Sequence, residues 1–286
     1  MGLKISEIFG IGITTDSREN ILEEVEKYLS EFRIQYSEFS KKAIKPLVIF
    51  TPNPEIIMYA QKNPDFKKTV RSAQINLPDG AGVVWALFKR FRIKISRISG
   101  ADFVQDLVVT TVKKRYTIGL IGGREGLALK ALECLQKKHK NLVGWVENGP
   151  EIEIRNSKPE IPACRQAGET NSNDKNSNFQ NYVKNITEKI IKEKTSIIFV
   201  GMGFPKQEWF INEVSCQLSV VSCQHPVVLM AVGGTFDYLA GRVARAPGWM
   251  REKGLEWFYR LLKEPMRLKR QLLGARFFLE VLRGES

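Results

Sequence analysis

The sequence predicts an α/β fold, a mainly parallel open sheet with helices on both faces, followed by a basic amphipathic helical appendage. Three observations predict it. Short apolar runs alternate with segments that repeat apolar residues at helical spacing. The runs are almost continuously apolar, as strands buried on both faces are. The polar and glycine residues collect where each run ends, which gathers them on one rim of such a sheet.

Taken in order, residues 3–15 read as a short strand and turn. Asp16 or Ser17 caps a helix to about Phe32, with Ile21, Leu22, Val25 and Leu29 on one face. The buried strand Leu47–Phe50 stops at Thr51-Pro52-Asn53-Pro54-Glu55, where Asn53 is suited to cap the next helix and Pro54 to open it. Strand Ile75–Leu77 runs into Pro78-Asp79-Gly80 before a helix to about Phe91. Strand Tyr116–Ile121 ends in a glycine turn at 122–126, followed by a helix over Leu127–Lys138 and a shorter strand over Leu142–Val146. Strand Ser196–Val200 ends in Gly201-Met202-Gly203 and is followed by Gln207 and a helix; strand Val227–Val232 ends in Gly233-Gly234-Thr235-Phe236-Asp237. The arrangement is Rossmann-like and is expected to occupy residues 1–240. Within it, residues 155–181 are rich in Asn, Ser, Gly and Pro, lack an apolar period, and read as a disordered surface insertion.

From Gly241 to Ser286 the composition shifts toward cations and aromatics. Arg260, Lys263, Arg267 and Arg270 share one helical face if Pro265 leaves the helix continuous, and a kink or break there is the stronger expectation. Leu and Phe side chains supply an apolar surface. A basic amphipathic helix of this kind either lies on a membrane surface or packs on its own domain with its charges in water.

Composition narrows the partners. Lys and Arg number 44 against 31 Asp and Glu, a formal charge of +13, which favours anionic partners: nucleic acid, phospholipid or a phosphorylated substrate. The four cysteines form no C-x-x-C pair and fit no zinc module; scattered free thiols suit a reducing cytoplasm. The two histidines are too few to build a metal site, and no apolar run of spanning length occurs. The N-terminus does not read as a signal peptide, and its short match to a myristoylation pattern is set aside as a chance match.

The rim groups are Thr51, Asn53, Asp79, Gln207 and Asp237, beside glycine turns at 122–126, 201–203 and 233–234. Glycines there let backbone N–H groups approach an anion, so the site is nucleotide-sized by type. Asp79 is the candidate general base; its alternative role is a turn or helix-cap residue. The order G-x-G-x-x-G is missing, as are the P-loop and the G-x-S-x-G elbow. No Asp lies two residues from another, so the D-x-D clamp that holds a metal on a nucleotide diphosphate is absent. A departing diphosphate would then rely on arginine, whose fork matches phosphate oxygens: Arg260, Arg267 and Arg270, or Arg97. The alternative for Arg97 is a surface salt bridge.

Six ordered blocks carry a resemblance. TPNPE at 51–55, LPDGAGVVW at 77–85, RISGADF at 97–103, GMGFPKQEWFI at 201–211, VGGTFDYLAG at 232–241 and the long block at 245–271 together resemble the WecG/TagA/CpsF glycosyltransferases. The similarity covers nearly the whole chain outside 155–181. It implies a bacterial, inverting, metal-independent enzyme with no cofactor. The TagA branch moves N-acetylmannosamine from UDP to the C4 hydroxyl of GlcNAc on undecaprenyl diphosphate, which begins wall teichoic acid; the WecG branch transfers the uronic acid instead. The resemblance places the catalytic base on Asp79 and a positioning hydroxyl on Thr51. Asn53, Gln207 and Asp237 match pocket positions, Arg97 falls in a matching motif, and Arg260, Arg267 and Arg270 match arginines of a membrane-touching appendage. The expected setting is cytoplasmic, peripheral on the inner face of the plasma membrane. The apolar tail leaves two states open: a homo-oligomer off the membrane, with the tail packed between copies, and a membrane-bound monomer. Two other readings stay open: another UDP-sugar donor, such as the uronic acid, and a basic nucleic-acid- or membrane-binding module without catalysis. The absence of any recognised nucleic-acid motif speaks against nucleic acid.

Overall fold

The computed structural model describes residues 2–35, 44–124, 126–150, 174–221, 223–263 and 268–284, apart from the side chains of 31–35, 174–177 and 268–273. The chain begins with an antiparallel pair, β1 (Ile5–Ile8) and β2 (Ile11–Thr14), where the sequence reading placed one strand and a turn. Gly10, at φ +70°, turns the chain between them. Helix α1 (Arg18–Gln35) follows.

A parallel six-stranded sheet forms the centre, in the order β4-β3-β8-β7-β5-β6. Its strands are β3 (Leu47–Phe50), β4 (Ile75–Asn76), β5 (Thr117–Gly122), β6 (Val143–Glu147), β7 (Thr195–Gly201) and β8 (Val228–Ala231). The α/β class and parallel sheet match the sequence expectation. Alternate side chains feed two cores. Val48, Phe50, Ile198, Val200 and Leu229 face one; Leu47, Ile49, Ile197, Phe199 and Met230 face the other. This double burial is the reason the strands read as unbroken apolar runs.

The connections place helices on both faces. They are α2 (Pro54–Lys62), α3 (Pro64–Ser72), α4 (Ala81–Phe91), α5 (Gly100–Lys114), α6 (Leu127–Lys138), α7 (Asp174–Lys192), α8 (Lys206–Val220) and α9 (Thr235–Leu239). Helices α3 and α5 were not foreseen. The sequence expectation fails at the end of the supposed insertion, because α7 begins at Asp174. Phe179 and Tyr182 both stack on Phe210 of α8, and Val183, Ile186 and Ile190 are buried. These apolar residues follow a helical spacing that the Asn- and Ser-rich composition around 174–181 obscured. Residues 155–173 lie outside the described residues. Cys134 and Cys223 are free thiols, but Cys216 is disulfide-bonded, contrary to the reading of four free cysteines; spacing alone does not reveal pairing.

The C-terminal segment forms α10 (Gly248–Glu252), α11 (Glu256–Lys263) and α12 (Leu268–Arg283). Arg260 and Lys263 lie on α11 and residue 270 on α12; residues 264–267, where the kink or break at Pro265 was expected, lie outside the described residues. Helix α12 packs on α2 and α4. Phe277 is fully buried, with its ring edge-on to Phe9, and Val281 is buried beside it. Burying a side chain of the size of Phe277 contributes roughly 1.5–3 kcal/mol. The other face stays out: Leu279 and Leu282 are exposed, as are Trp249, Trp257 and Leu262 on α10 and α11. The tail thus packs on its own domain with one face and presents apolar groups to solvent with the other. No helix among the described residues is long and apolar enough to cross a membrane.

Gly82 makes this docking close. A Cβ there would stand 2.7 Å from Pro54 Cγ on α2 and 2.9 Å from Phe278 Cζ on α12. Gly82→Val is expected to destabilise the fold by about 1–3 kcal/mol in denaturant unfolding and to speed proteolysis within the tail. Unchanged unfolding and unchanged tail cleavage would contradict the packing described.

Candidate active site

The carboxyl ends of the four neighbouring strands β4, β3, β8 and β7 open into one cavity of about 930 Å³. That is the size of a small-molecule or nucleotide site. The loops after these strands supply Asp79, Thr51, Gly233 and Gln207, and the C-terminal segment supplies Glu256, Trp257, Arg260 and Phe278. The glycine turn after β5 was expected on the same rim, but its residues 122 and 123 are not among the lining residues. The strand order explains this: β5 lies beyond β7, outside the four strands that hold the cavity.

Asp79 is fixed by two neighbouring segments. Its N–H donates to Leu77 O at 2.8 Å, and Gly80, at φ +96°, turns the chain into α4. The peptide N–H of Ile98 donates to Pro78 O at 3.2 Å, which holds the 97–100 segment against this turn. Helix α5 starts there, so the N–H of Gly100 faces Asp79 Oδ2 at 3.5 Å. A side chain at position 100 would meet Thr51 Cγ2 at 3.1 Å. Glycine at that point lets the hydroxyl-bearing Thr51 and the carboxylate share one corner.

Arg97 also lines this corner, with its Nε 3.8 Å from Asp79 Oδ1. The same guanidinium donates through Nη2 to Glu256 Oε2 of α11. The alternative of a salt bridge is therefore realised, but in the cavity wall, with Arg97 only 17% exposed. Burial pushes the Asp79 carboxyl up to about 6; Arg97 opposes the shift, and Glu256 adds to it. A carboxylate so tuned is matched to accepting a proton near neutral pH.

The other expected residues divide. Asn53 lines the cavity, and its Oδ1 accepts from Ile56 N at 3.0 Å as the cap of α2. Gln207 is buried; its Oε1 accepts from Gly233 N at 2.9 Å and its Nε2 donates to Glu208 Oε1 at 2.9 Å. It clasps the loop after β7 to the loop after β8. Arg260 lines the cavity with its guanidinium 5.2 Å from the centre of the Tyr238 ring. Asp237 is not among the lining residues and lies 3.6 Å from Arg242. Arg267 lies outside the described residues, as does the side chain of Arg270. Sequence reasoning missed Glu256 and Arg245, although both fall in the block at 245–271. Glu256 is one of three carboxylates among the cations of that block, and nothing marks it out until its partner is known. Among the described residues, no three His, Cys, Asp or Glu side chains cluster as metal ligands would.

A doubly wound sheet whose strand ends hold a carboxylate, two guanidiniums and glycine turns has the make-up of a site for an anionic small molecule. The comparison with known sequences narrows this class. The chain belongs to the glycosyl transferase WecG/TagA/CpsF family, whose profile spans residues 7–285. It is similar to the N-acetylglucosaminyldiphosphoundecaprenol N-acetyl-beta-D-mannosaminyltransferase of Bacillus subtilis (strain 168), at 31% identity over 242 residues, 84% of this chain and 80% of the relative. The protein is a glycosyltransferase, and the reading of a basic module without catalysis falls.

Gly234 faces Arg260 so closely that a Cβ there would come 2.2 Å from Nη2. Only the end of a flexible side chain stands in the way, and Gly234, at φ −85°, has a backbone that any residue adopts. Gly234→Ala is therefore expected to leave the melting temperature nearly unchanged while moving the guanidinium. Turnover should fall on the order of a hundredfold if Arg260 meets developing negative charge. Full activity in the folded variant would remove Arg260 from that role.

Proposed function

We propose that this protein transfers N-acetylmannosamine from UDP-N-acetylmannosamine to the C4 hydroxyl of GlcNAc on undecaprenyl diphosphate, with inversion and without a metal ion. Such a step would begin the linkage unit of a wall teichoic acid. The observation that carries the reading is Asp79: a carboxylate raised toward neutrality at the corner of a cavity that also holds Thr51, Arg97 and Arg260. Family membership and the name of the Bacillus subtilis relative support the choice of sugars.

In this mechanism the acceptor hydroxyl lies against Asp79, which takes its proton as the oxygen attacks the anomeric carbon. The C1–O bond to UDP breaks on the opposite face, and UDP leaves with the bonding pair. Arg260 and Arg97 supply the positive charge that offsets the diphosphate. Arg267 and Arg270 are proposed to join them, and Thr51 and Asn53 to orient the sugars. Gln207 holds the loop of Gly233 in place. Asp237, paired near Arg242, supports the rim from behind.

The acceptor is anchored in a bilayer, so the enzyme is proposed to work as a peripheral protein on the inner face of the plasma membrane. Residues 241–286 form the docking appendage, attached to the catalytic domain of 1–240. Exposed Trp249, Trp257, Leu262 and Leu282 suit the interfacial zone. Each Lys or Arg near an anionic surface adds roughly 1 kcal/mol of attraction. Because α11 and α12 also wall the cavity, docking and completion of the site would go together and limit hydrolysis of the donor.

The test supplies UDP-N-acetylmannosamine and a short-chain lipid-diphosphate-GlcNAc to the full chain in chelator, and follows UDP release and product mass. A disaccharide lipid of β configuration is expected. Asp79→Asn should retain the fold and lose about a hundredfold or more in turnover. The wild-type rate should fall as pH drops through about 6, because the base is then protonated. No product from a folded, UDP-binding protein would overturn the choice of donor or acceptor, and a flat acid limb would remove Asp79 as the base.

A further inference from the structure

Arg97 stands between two carboxylates, and one of them comes from the C-terminal segment. Its Nη2 donates to Glu256 Oε2, whereas its Nε stays 3.8 Å from Asp79 Oδ1, beyond hydrogen-bond length. Glu256 is held in turn. Its Oε1 accepts from Arg245 Nε at 3.3 Å. Arg245 grips Asp102 of α5 through two bonds of 2.6 and 2.8 Å and donates to Ser99 Oγ at 3.2 Å. The charges therefore alternate from the cavity corner outward: Asp79, Arg97, Glu256, Arg245, Asp102. Glu256 is 12% exposed, so its ion pairs are not the loosely solvated surface type.

From this geometry we infer that Glu256 is a positioning residue: it holds the Arg97 guanidinium off Asp79, so that seating α11 keeps the carboxylate available as a proton acceptor. The inference rests on the reading of Asp79 as the base. With Glu256 neutral, the carboxylate among the described residues that remains paired with Arg97 is Asp79, and the guanidinium turns to it. Asp79 then becomes a firmly paired, weaker base. Among the described residues, the groups facing these ion pairs are the following. Asp79 meets Arg97, Glu256 and the N–H groups of Gly80 and Gly100. Glu256 meets Arg97 and Arg245, and Asp102 meets Arg245 together with Arg18 of α1 and Arg251 of α10. Arg260, one turn along α11 from Glu256, has its guanidinium 5.2 Å from the centre of the Tyr238 ring. Arg245 keeps its two bonds to Asp102 when Glu256 is lost, whereas Arg97 loses the carboxylate to which it is hydrogen-bonded. Removing Glu256 therefore leaves Arg97, rather than Arg245, seeking a partner.

The deciding experiment needs no substrate. Carboxyl-carbon NMR of the full-length protein labelled at aspartate, with the Asp79 signal assigned through Asp79→Asn, gives the ionisation midpoint of Asp79 directly. In Glu256→Gln that midpoint should fall by about one pH unit, since a like charge is lost and an opposite one moves closer. The acid limb of kcat/KM should move down with it, and the plateau rate should drop. A merely structural Glu256 would lower the rate and leave the midpoint in place, and an unmoved midpoint overturns the inference. If Glu256→Gln does not fold, Glu256→Asp keeps the charge on a shorter arm. A partial fall of the midpoint then supports the inference, and no change overturns it. A shifted midpoint in a protein that transfers no sugar would sink the proposed reaction while leaving the positioning role intact.

Discussion

Asp79, Arg97 and Glu256 meet across two parts of the chain that are far apart in sequence, and the rest of the site depends on that meeting. A carboxylate partly withdrawn from water costs free energy unless it is paired, and pairing it fully would make it a poor base. The arrangement avoids both extremes. Arg97 is near enough to Asp79 to keep its charge tolerable, and Glu256 draws the guanidinium's strongest contact to itself. Burial then leaves the Asp79 carboxyl near 6. Losing one member of a buried ionic set exposes the others to uncompensated charge, so the members are not independently replaceable.

The fold's part is to bring these groups together. Four adjacent strands end at one place, so four loops far apart in sequence reach the same cavity. Glycine makes the corners tight: Gly80 turns the chain after Asp79, and Gly100 leaves room for Thr51. The C-terminal helices then close one side. Helix α12 is attached through buried Phe277 and Val281, and the segment before it through buried Met250 and the ion pairs of Arg245 and Glu256, while tryptophans and leucines stay outward. The apolar groups left in water are the ones on which the proposed docking to a lipid surface would draw.

The sheet was legible because its strands are buried on both faces, and such strands announce themselves as unbroken apolar runs flanked by turns. Strand order was not legible, since periodicity says nothing about neighbours; this is why the glycine turn after β5 was expected at a site it does not line. Helix α5 escaped notice although Val104, Leu107, Val108 and Thr111 follow a helical spacing. The start of α7 was hidden by polar composition. At the site, Thr51, Asn53, Asp79 and Gln207 were readable from the segments that follow strands, Arg97 from its block at 97–103 and Arg260 from the cationic tail, and they line one cavity. Asp237 is off it. Glu256 and Arg245 were not readable as site residues, because an ion pair between positions far apart in sequence leaves no local pattern.

The account stands most directly on where a nucleotide diphosphate binds. A crystal structure of the full chain with UDP measures it. The diphosphate should lie within hydrogen-bond reach of Arg260 or Arg97, with its terminal phosphate directed toward the space in front of Asp79. A diphosphate seated away from both arginines, or with Asp79 on the far side of the nucleotide, would contradict the assignment of this cavity as the site of sugar transfer.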